Sequence, residues 1–357
     1  MHQLDTSRTR LKTSIRSLHG LVPFRIVQHF LRERNFPTSR SWADVADNIV
    51  NSCDERDALR ATDALLTLYE EYKIWGKKVV ALFPMTAQIP EILRKLPPLE
   101  ENPYSATYPL PLPEHRLRKL PEIPCLVAVR DIGEGLILVF CSPRYKVVRE
   151  QLSLEHLRET YIEQYKSFDE LFAVRKTITQ AYDVVYIPRN QTPVQVRVDC
   201  LQFRHTRSAD KYLDSVLVAL ASLVNIHTVA FPLKKPINLF PLIRKIYDNP
   251  KEGRVCEISF ECSTQARHHQ HFRQVRADLR NEVYHRAGLE AVGMISPYLL
   301  AVAWDKDEQG NPLEAEIVLP GNRKMLRDAK PLTRAFIPKA VSREAFDFAI
   351  RRIQSYL

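Results

Sequence analysis

A chain of 357 residues with 45% hydrophobic and 26% charged side chains can bury a sizeable core and is not a disordered polymer. No apolar run reaches the roughly 18 residues needed to cross a bilayer, and the charged N-terminus lacks the apolar centre of a signal peptide. The formal charge of +10 is unevenly placed: residues 1–40 hold eight Lys or Arg against two acids, residues 321–357 hold nine against three, and the stretch between them nets −2. Clustered cations attract polyanions, because neutralised phosphates release condensed counterions. A solvated basic surface gives the same count.

Residues 13–96 have the pattern of helices. Val22, Ile26, Val27, Phe30 and Leu31 recur at helical spacing. A second stretch follows Thr38-Ser39-Arg40-Ser41 with Trp42, Val45, Ile49 and Val50. Ser52-Cys53-Asp54 separates it from a third with Ala58, Leu59, Leu65, Leu66, Leu68 and Tyr69. Pro84 closes the less periodic run from Lys73 to Phe83, and Pro90 opens a short helix to Leu96. The expectation is a helical domain at 1–96. Pro97 to Pro124 holds eight of the 24 prolines. It reads as a linker at 97–124 or a strap across a surface, with the linker favoured.

Beyond it the pattern is that of a larger α+β domain, residues 125–357, with a mixed or antiparallel sheet. CLVAVR and LILVFC flank Asp131-Ile132-Gly133-Glu134-Gly135 as a hairpin. Ser153 to Arg175 reads as a polar helical segment. YDVVYIP and VQVRVDCLQF alternate as strands, and Asp210 to Ile226 reads as a helix buried along Leu213, Val216, Leu217, Leu220 and Leu223. Leu239 to Tyr247 predicts another helix, RVCEISFEC a strand and His271 to Tyr284 a helix. LLAVAW and AEIVLP predict a second hairpin, and Arg343 to Leu357 a closing helix.

Enzyme signatures are sparse. There is no nucleophile elbow, P-loop, dinucleotide fingerprint or zincin helix, and nine glycines in the whole chain argue against glycine-rich phosphate loops. The cysteines Cys53, Cys125, Cys141, Cys200, Cys256 and Cys262 are dispersed without a CxxC pair, as buried thiols of a reducing compartment are. Asp305 to Glu316 matches a calcium loop in its acids and in Gly310, but strand-like flanks point to a hairpin turn. Cys256 and Cys262 share a strand face near His268, His269, His271 and His285, yet meet no zinc spacing, and no metal is assigned. Asp199, Glu257 and Glu261 would serve a metal-dependent nuclease if they converged.

The basic clusters carry the stronger reading. Arg10, Lys12 and Arg16 lie in the N-terminal excess. Arg204, Arg207 and Lys211 sit just before a buried helix, whose first amides add positive potential for an anion. Ser208 as an N-cap accounts for the same junction structurally. Arg267, His268, His269, His271, Arg273, Arg276 and Arg280 form a third stripe, either an anion site or a solvated helix face.

Ala64-Leu65-Leu66 leading to Val79-Val80-Ala81-Leu82-Phe83-Pro84-Met85, Lys211-Tyr212-Leu213-Asp214-Ser215-Val216 and Ser296-Pro297-Tyr298-Leu299-Leu300 resemble, in order, segments of the centromere protein N family. That resemblance covers about a tenth of the chain. It implies a pyrin-like (death-fold-like) helical domain followed by an α+β domain, and a non-enzymatic kinetochore component that reads the centromeric nucleosome. The family's DNA-contacting positions match Lys12, Arg16, Arg207 and Lys211 here. The proline-rich segment and the arginine–histidine stretch near residue 267 have no counterpart in it.

The expectation is therefore an intracellular, two-domain basic protein, more a binder than an enzyme and without a cofactor. It would hold nucleic acid or a nucleosome, within a larger protein assembly, and would not bind membrane. Its contacts would be Arg10, Lys12, Arg16, Arg204, Arg207, Lys211, Arg267 and Arg273, with the helical domain and the helix near residue 211 as walls of one groove. Localisation is nuclear if the resemblance holds and cytoplasmic otherwise. The alternatives are a metal-dependent nuclease and a protein-interaction scaffold whose basic ends serve solubility.

Overall fold

Four helices open the computed structural model: α1 (His2–Leu18), α2 (Phe24–Glu33), α3 (Trp42–Ser52) and α4 (Glu55–Trp75). The structure describes all residues except 1, 20, 53, 154, 156–158, 200–205, 227–230, 273–275, 329 and 341, and leaves out the side chains of residues 2–8, 46, 50, 52, 92, 93, 159, 160 and 206–208. Apolar residues at helical spacing bury the inner faces, with Leu11, Ile15 and Leu18 of α1 packed in one core with Ala58, Ala61 and Leu65 of α4. Asp54 starts α4 by accepting the Asp57 amide at 2.8 Å. Gly76 ends it, because a β-carbon there would collide with the Tyr72 carbonyl.

The helical stretch stops earlier than the periodicity predicts. Lys78–Phe83 is a strand, β1, buried along its whole length. It is followed by α5 (Ile89–Arg94), α6 (Glu114–Leu117), β2 (Cys125–Asp131), β3 (Gly135–Leu152), α7 (Glu159–Tyr165), β4 (Leu171–Pro188), β5 (Val194–Val198) and α8 (Thr206–Leu223). Then come α9 (Phe240–Tyr247), β6 (Arg254–Cys262), β7 (Arg267–His271), α10 (Val283–Val292), β8 (Ile295–Lys306), β9 (Pro312–Leu319), β10 (Ala335–Ala340) and α11 (Arg343–Gln354). The chain is thus α+β, and its described strands form one ten-stranded sheet in the order β2-β3-β4-β5-β1-β10-β9-β8-β6-β7. Every pairing is antiparallel.

The expected boundary at residue 96 therefore cuts through the sheet, since β1 pairs with both β5 and β10. The proline-rich segment is a strap rather than a free linker: Tyr104, Leu112 and Leu117 are buried. The Leu112 amide donates to Gln180 at 2.9 Å, and the Tyr182 hydroxyl donates to the Pro109 carbonyl at 2.7 Å. Two further expectations fail. Residues 171–175 belong to β4, which pairs with β3 along its full length. Of the segment expected as a helix from His271 to Tyr284, His271 ends β7, Leu279–Asn281 forms one 3-10 turn and α10 starts only at Val283.

Strand alternation divides the core between two faces of the sheet. Val80, Leu82, Val139, Cys141, Tyr182 and Val184 pack with the N-terminal helices, the strap, α9 and α11. Val79, Ala81, Phe83, Phe140, Val185 and Val196 pack with Ala209, Leu213, Val216 and Leu220 of α8. Arg197 of β5 ties the first face together. It is fully buried, with its guanidinium 4.4 Å from the ring centroids of both Trp75 (α4) and Phe346 (α11). Gln195 accepts its hydrogen bonds at 2.7 and 3.0 Å, and burial lowers its pKa to about 10.

Candidate nucleic-acid interface

On α1 the buried stripe of Leu11, Ile15 and Leu18 leaves Arg10 and Arg16 exposed and Lys12 half-buried. Among the described residues no carboxylate pairs with any of the three. Lys12 and Arg16, four apart, share a helix face and present two charges to solvent together.

Helix α8 lies on the opposite face of the sheet. Its Lys211 is exposed and 3.0 Å from Glu122. Arg207 belongs to the first turn of α8, with its side chain outside the description; Arg204, Arg273 and the side chain of Ser208 also lie outside the described residues. α1 and α8 therefore do not form two walls of a groove on one face.

Between them lies a charged junction where β4 parts from β5. The Arg144–Asp183 pair is buried, with the Arg144 guanidinium 3.7 Å from the centroid of the Tyr212 ring on α8. Asp199 accepts from the buried Lys78 ammonium at 2.6 Å and from the Tyr182 amide at 2.8 Å, and its own amide donates to Asp183 at 3.0 Å. Burial raises the Asp183 carboxyl to about 6 despite Arg144. Burial also works to raise Asp199, but Lys78, Lys73 and the Tyr182 amide together hold it below the usual carboxylate range.

From this junction β3 and β4 run on as a two-stranded ribbon, its root covered by α6 with Ile178 buried and Arg118 donating to the Lys176 carbonyl at 3.3 Å. The last described pairing of β2 with β3 is Cys125 with Cys141, and of β5 with β4 is Arg197 with Val184. The ribbon of Tyr145–Leu152 against Leu171–Ile178 then projects about 25 Å from the sheet. One face carries Tyr145, Val147 and Arg149 beside Phe172, Val174 and Lys176; Val147 is 50% and Val174 64% exposed. The Arg149 guanidinium lies 3.8 Å from the Phe172 ring centroid. On the other face Lys146 is exposed and Arg175 pairs with Glu150 at 3.1 Å. Sequence reasoning missed these cations, although the β-branched and aromatic content of YKVV and LFAVRKTIT was the available signal.

Arg267 is exposed on β7, the edge strand of the sheet, six strand spacings from β5 or about 29 Å. Its cross-strand neighbour Glu261 is already bound by Arg323 and, at 3.2 Å, by Arg327. Glu257 and Glu261 of β6 lie five spacings from β5, about 24 Å, and Asp199 is engaged by Lys78. The three carboxylates of the nuclease reading do not converge. Nor do the histidines and cysteines: His285 bonds the Tyr247 hydroxyl at 2.8 Å, the Cys256 thiol points at the Ala301 carbonyl, and Cys262 meets Thr264. Among the described residues no three His, Cys, Asp or Glu side chains form a metal-holding group. The loop after Asp305 is a hairpin turn, with Asp307 accepting the Gln309 and Asn311 amides at 2.9 and 2.8 Å.

No family model, curated protein or solved structure matches the chain. Among the described residues no helix is long and apolar enough to cross a membrane.

Proposed function

We propose that the protein binds nucleic acid or a nucleoprotein without catalysis, using the β3–β4 ribbon together with the cations of α1. The observation that carries this reading is the ribbon. A two-stranded β-ribbon fits the major groove of duplex DNA, and this one offers Lys146, Arg149, Arg175 and Lys176 against a single acid, Glu150. Exposed aromatics beside the cations add surface for stacking. Arg10, Lys12 and Arg16 supply further charge with no carboxylate to neutralise it among the described residues. Such contacts position a backbone rather than read bases.

The finer reading rests on the sequence resemblance alone: the N-terminal helices as a pyrin-like domain, the polyanion as centromeric nucleosomal DNA, and a nuclear location. The test is binding of the full chain to a duplex oligonucleotide as salt is varied. Affinity should fall linearly on a log–log plot, and Lys146→Glu/Arg149→Glu/Lys176→Glu should flatten that slope by about three. Absence of binding at low salt would remove the proposal.

A further inference from the structure

We infer that the groove between α8 and the proline-rich strap is a docking site for a cationic, amphipathic peptide segment of a partner protein. The inference is independent of the nucleic-acid reading. The groove encloses about 1130 Å³, somewhat above the roughly 300–1000 Å³ of small-molecule pockets, and it is open along its length. One wall is a continuous face of α8: Lys211, Asp214, Ser215, Val218, Ala219 and Ser222 at helical spacing. The small residues allow close approach, and Val218 is left 50% exposed between Leu99 at 51% and Ile123 at 63%.

The rim decides the occupant. Glu100, Glu101, Glu122 and Asp214 line it against a single cation, Lys211, which Glu122 already holds at 3.0 Å. In a chain of charge +10 this is a local reversal of sign. It repels a nucleic-acid backbone and gives an uncharged lipid or metabolite no partner for its carboxylates. A segment with apolar anchors and flanking Lys or Arg satisfies both the floor and the rim. The face from Lys211 to Ser222 is about 17 Å long, the span of a three-turn helix with anchors at i, i+4 and i+7.

The opposite wall is preformed. Pro97, Pro98 and Pro124 stiffen it. The Asn102 side-chain amide pins it to the β2 edge by donating to the Leu126 carbonyl at 2.9 Å, and the Asn102 main-chain amide donates to the Ser105 hydroxyl at 3.1 Å. A fixed wall lowers the ordering cost of binding.

The test uses the full chain and a labelled helical peptide of about four turns, with leucines at i, i+4 and i+7 and lysines elsewhere, followed by fluorescence anisotropy. Saturable binding is expected. Val218→Glu should weaken it at least about tenfold, and Glu100→Lys/Glu101→Lys about fivefold, with a shallower salt dependence. The latter pair lies on the exposed strap, so it keeps the test decisive if Val218→Glu disturbs the fold. A peptide with serine in place of leucine should bind weakly to every variant. Equal peptide binding by wild type and both variants, or no binding at all, would overturn the assignment.

Discussion

The two ends of the chain carry the same formal excess of +6, yet the fold treats them differently. In the C-terminal stretch six of the nine cations are taken up by carboxylates: Arg323 and Arg327 by Glu261, Arg334 by Asp210, Lys339 by Glu316, Arg343 by Glu134 and Asp347, and Arg352 by Glu252 and Glu308. In the N-terminal stretch Arg25 reaches Glu314 and Arg34 lies near Glu33, while no carboxylate among the described residues takes Arg10, Lys12, Arg16, Arg32 or Arg40. Equal counts thus yield one end whose charge holds the sheet together and one whose charge faces outward. Net charge predicts attraction to a polyanion only after the internal pairs are subtracted.

The largest expected effect breaks this contrast from the C-terminal side. Glu252 is buried, and Arg352 is its cationic partner, beside hydrogen bonds from Trp304 at 3.1 Å and Tyr356 at 2.8 Å. Arg352→Ala should destabilise the protein by about 3 kcal/mol, because it strands a buried carboxylate. Arg16→Ala should stay within about 0.5 kcal/mol, as expected of an exposed helix position. Denaturant midpoints of the two variants measure the difference, and similar values would erase the distinction drawn between the ends.

The reverse ranking should hold for duplex DNA. Lys12→Glu/Arg16→Glu should lower affinity about tenfold or more at low salt and reduce the salt slope by about two. Charge reversal of Lys324 and Arg351, which form no close ion pair among the described residues, should change affinity much less if only the N-terminal end and the ribbon touch the ligand. Equal losses from both pairs would mean diffuse attraction rather than an interface.

Much of the architecture was legible because it is local. The hairpins around Gly133 and Gly310 and the buried stripes of α4 and α8 follow from alternation and helical spacing. β1 was missed because KVVALF is buried on both faces and so lacks alternation. The ribbon was missed because its distal half has no core to impose a period; Val147, Phe172 and Val174 are exposed. The basic clusters were legible as composition, but their fate was not. Arg334 meets Asp210 and Arg352 meets Glu252 across more than a hundred residues or close to it, and only the sheet topology brings them together.

A smaller effect sharpens the comparison at the junction between the two faces, where charge is consumed in the interior. Asp183 titrates near 6 in the folded protein, above its ordinary value of 3.8. Below both values the group is protonated in either state and contributes nothing adverse. Between them the folded state holds the proton more tightly, so stability should fall as pH rises from about 4 to 6. Asp199 is shifted the opposite way and contributes the opposite slope at lower pH, as it loses its charge against Lys78. Asp183→Asn, which keeps the shape and removes the titration, should flatten the decline between pH 4 and 6 and leave the low-pH limb in place. Unfolding midpoints across that range measure it. A decline unchanged in the variant would place the titrating group elsewhere and leave the Arg144–Asp183 pair a permanent ion pair at the root of the ribbon.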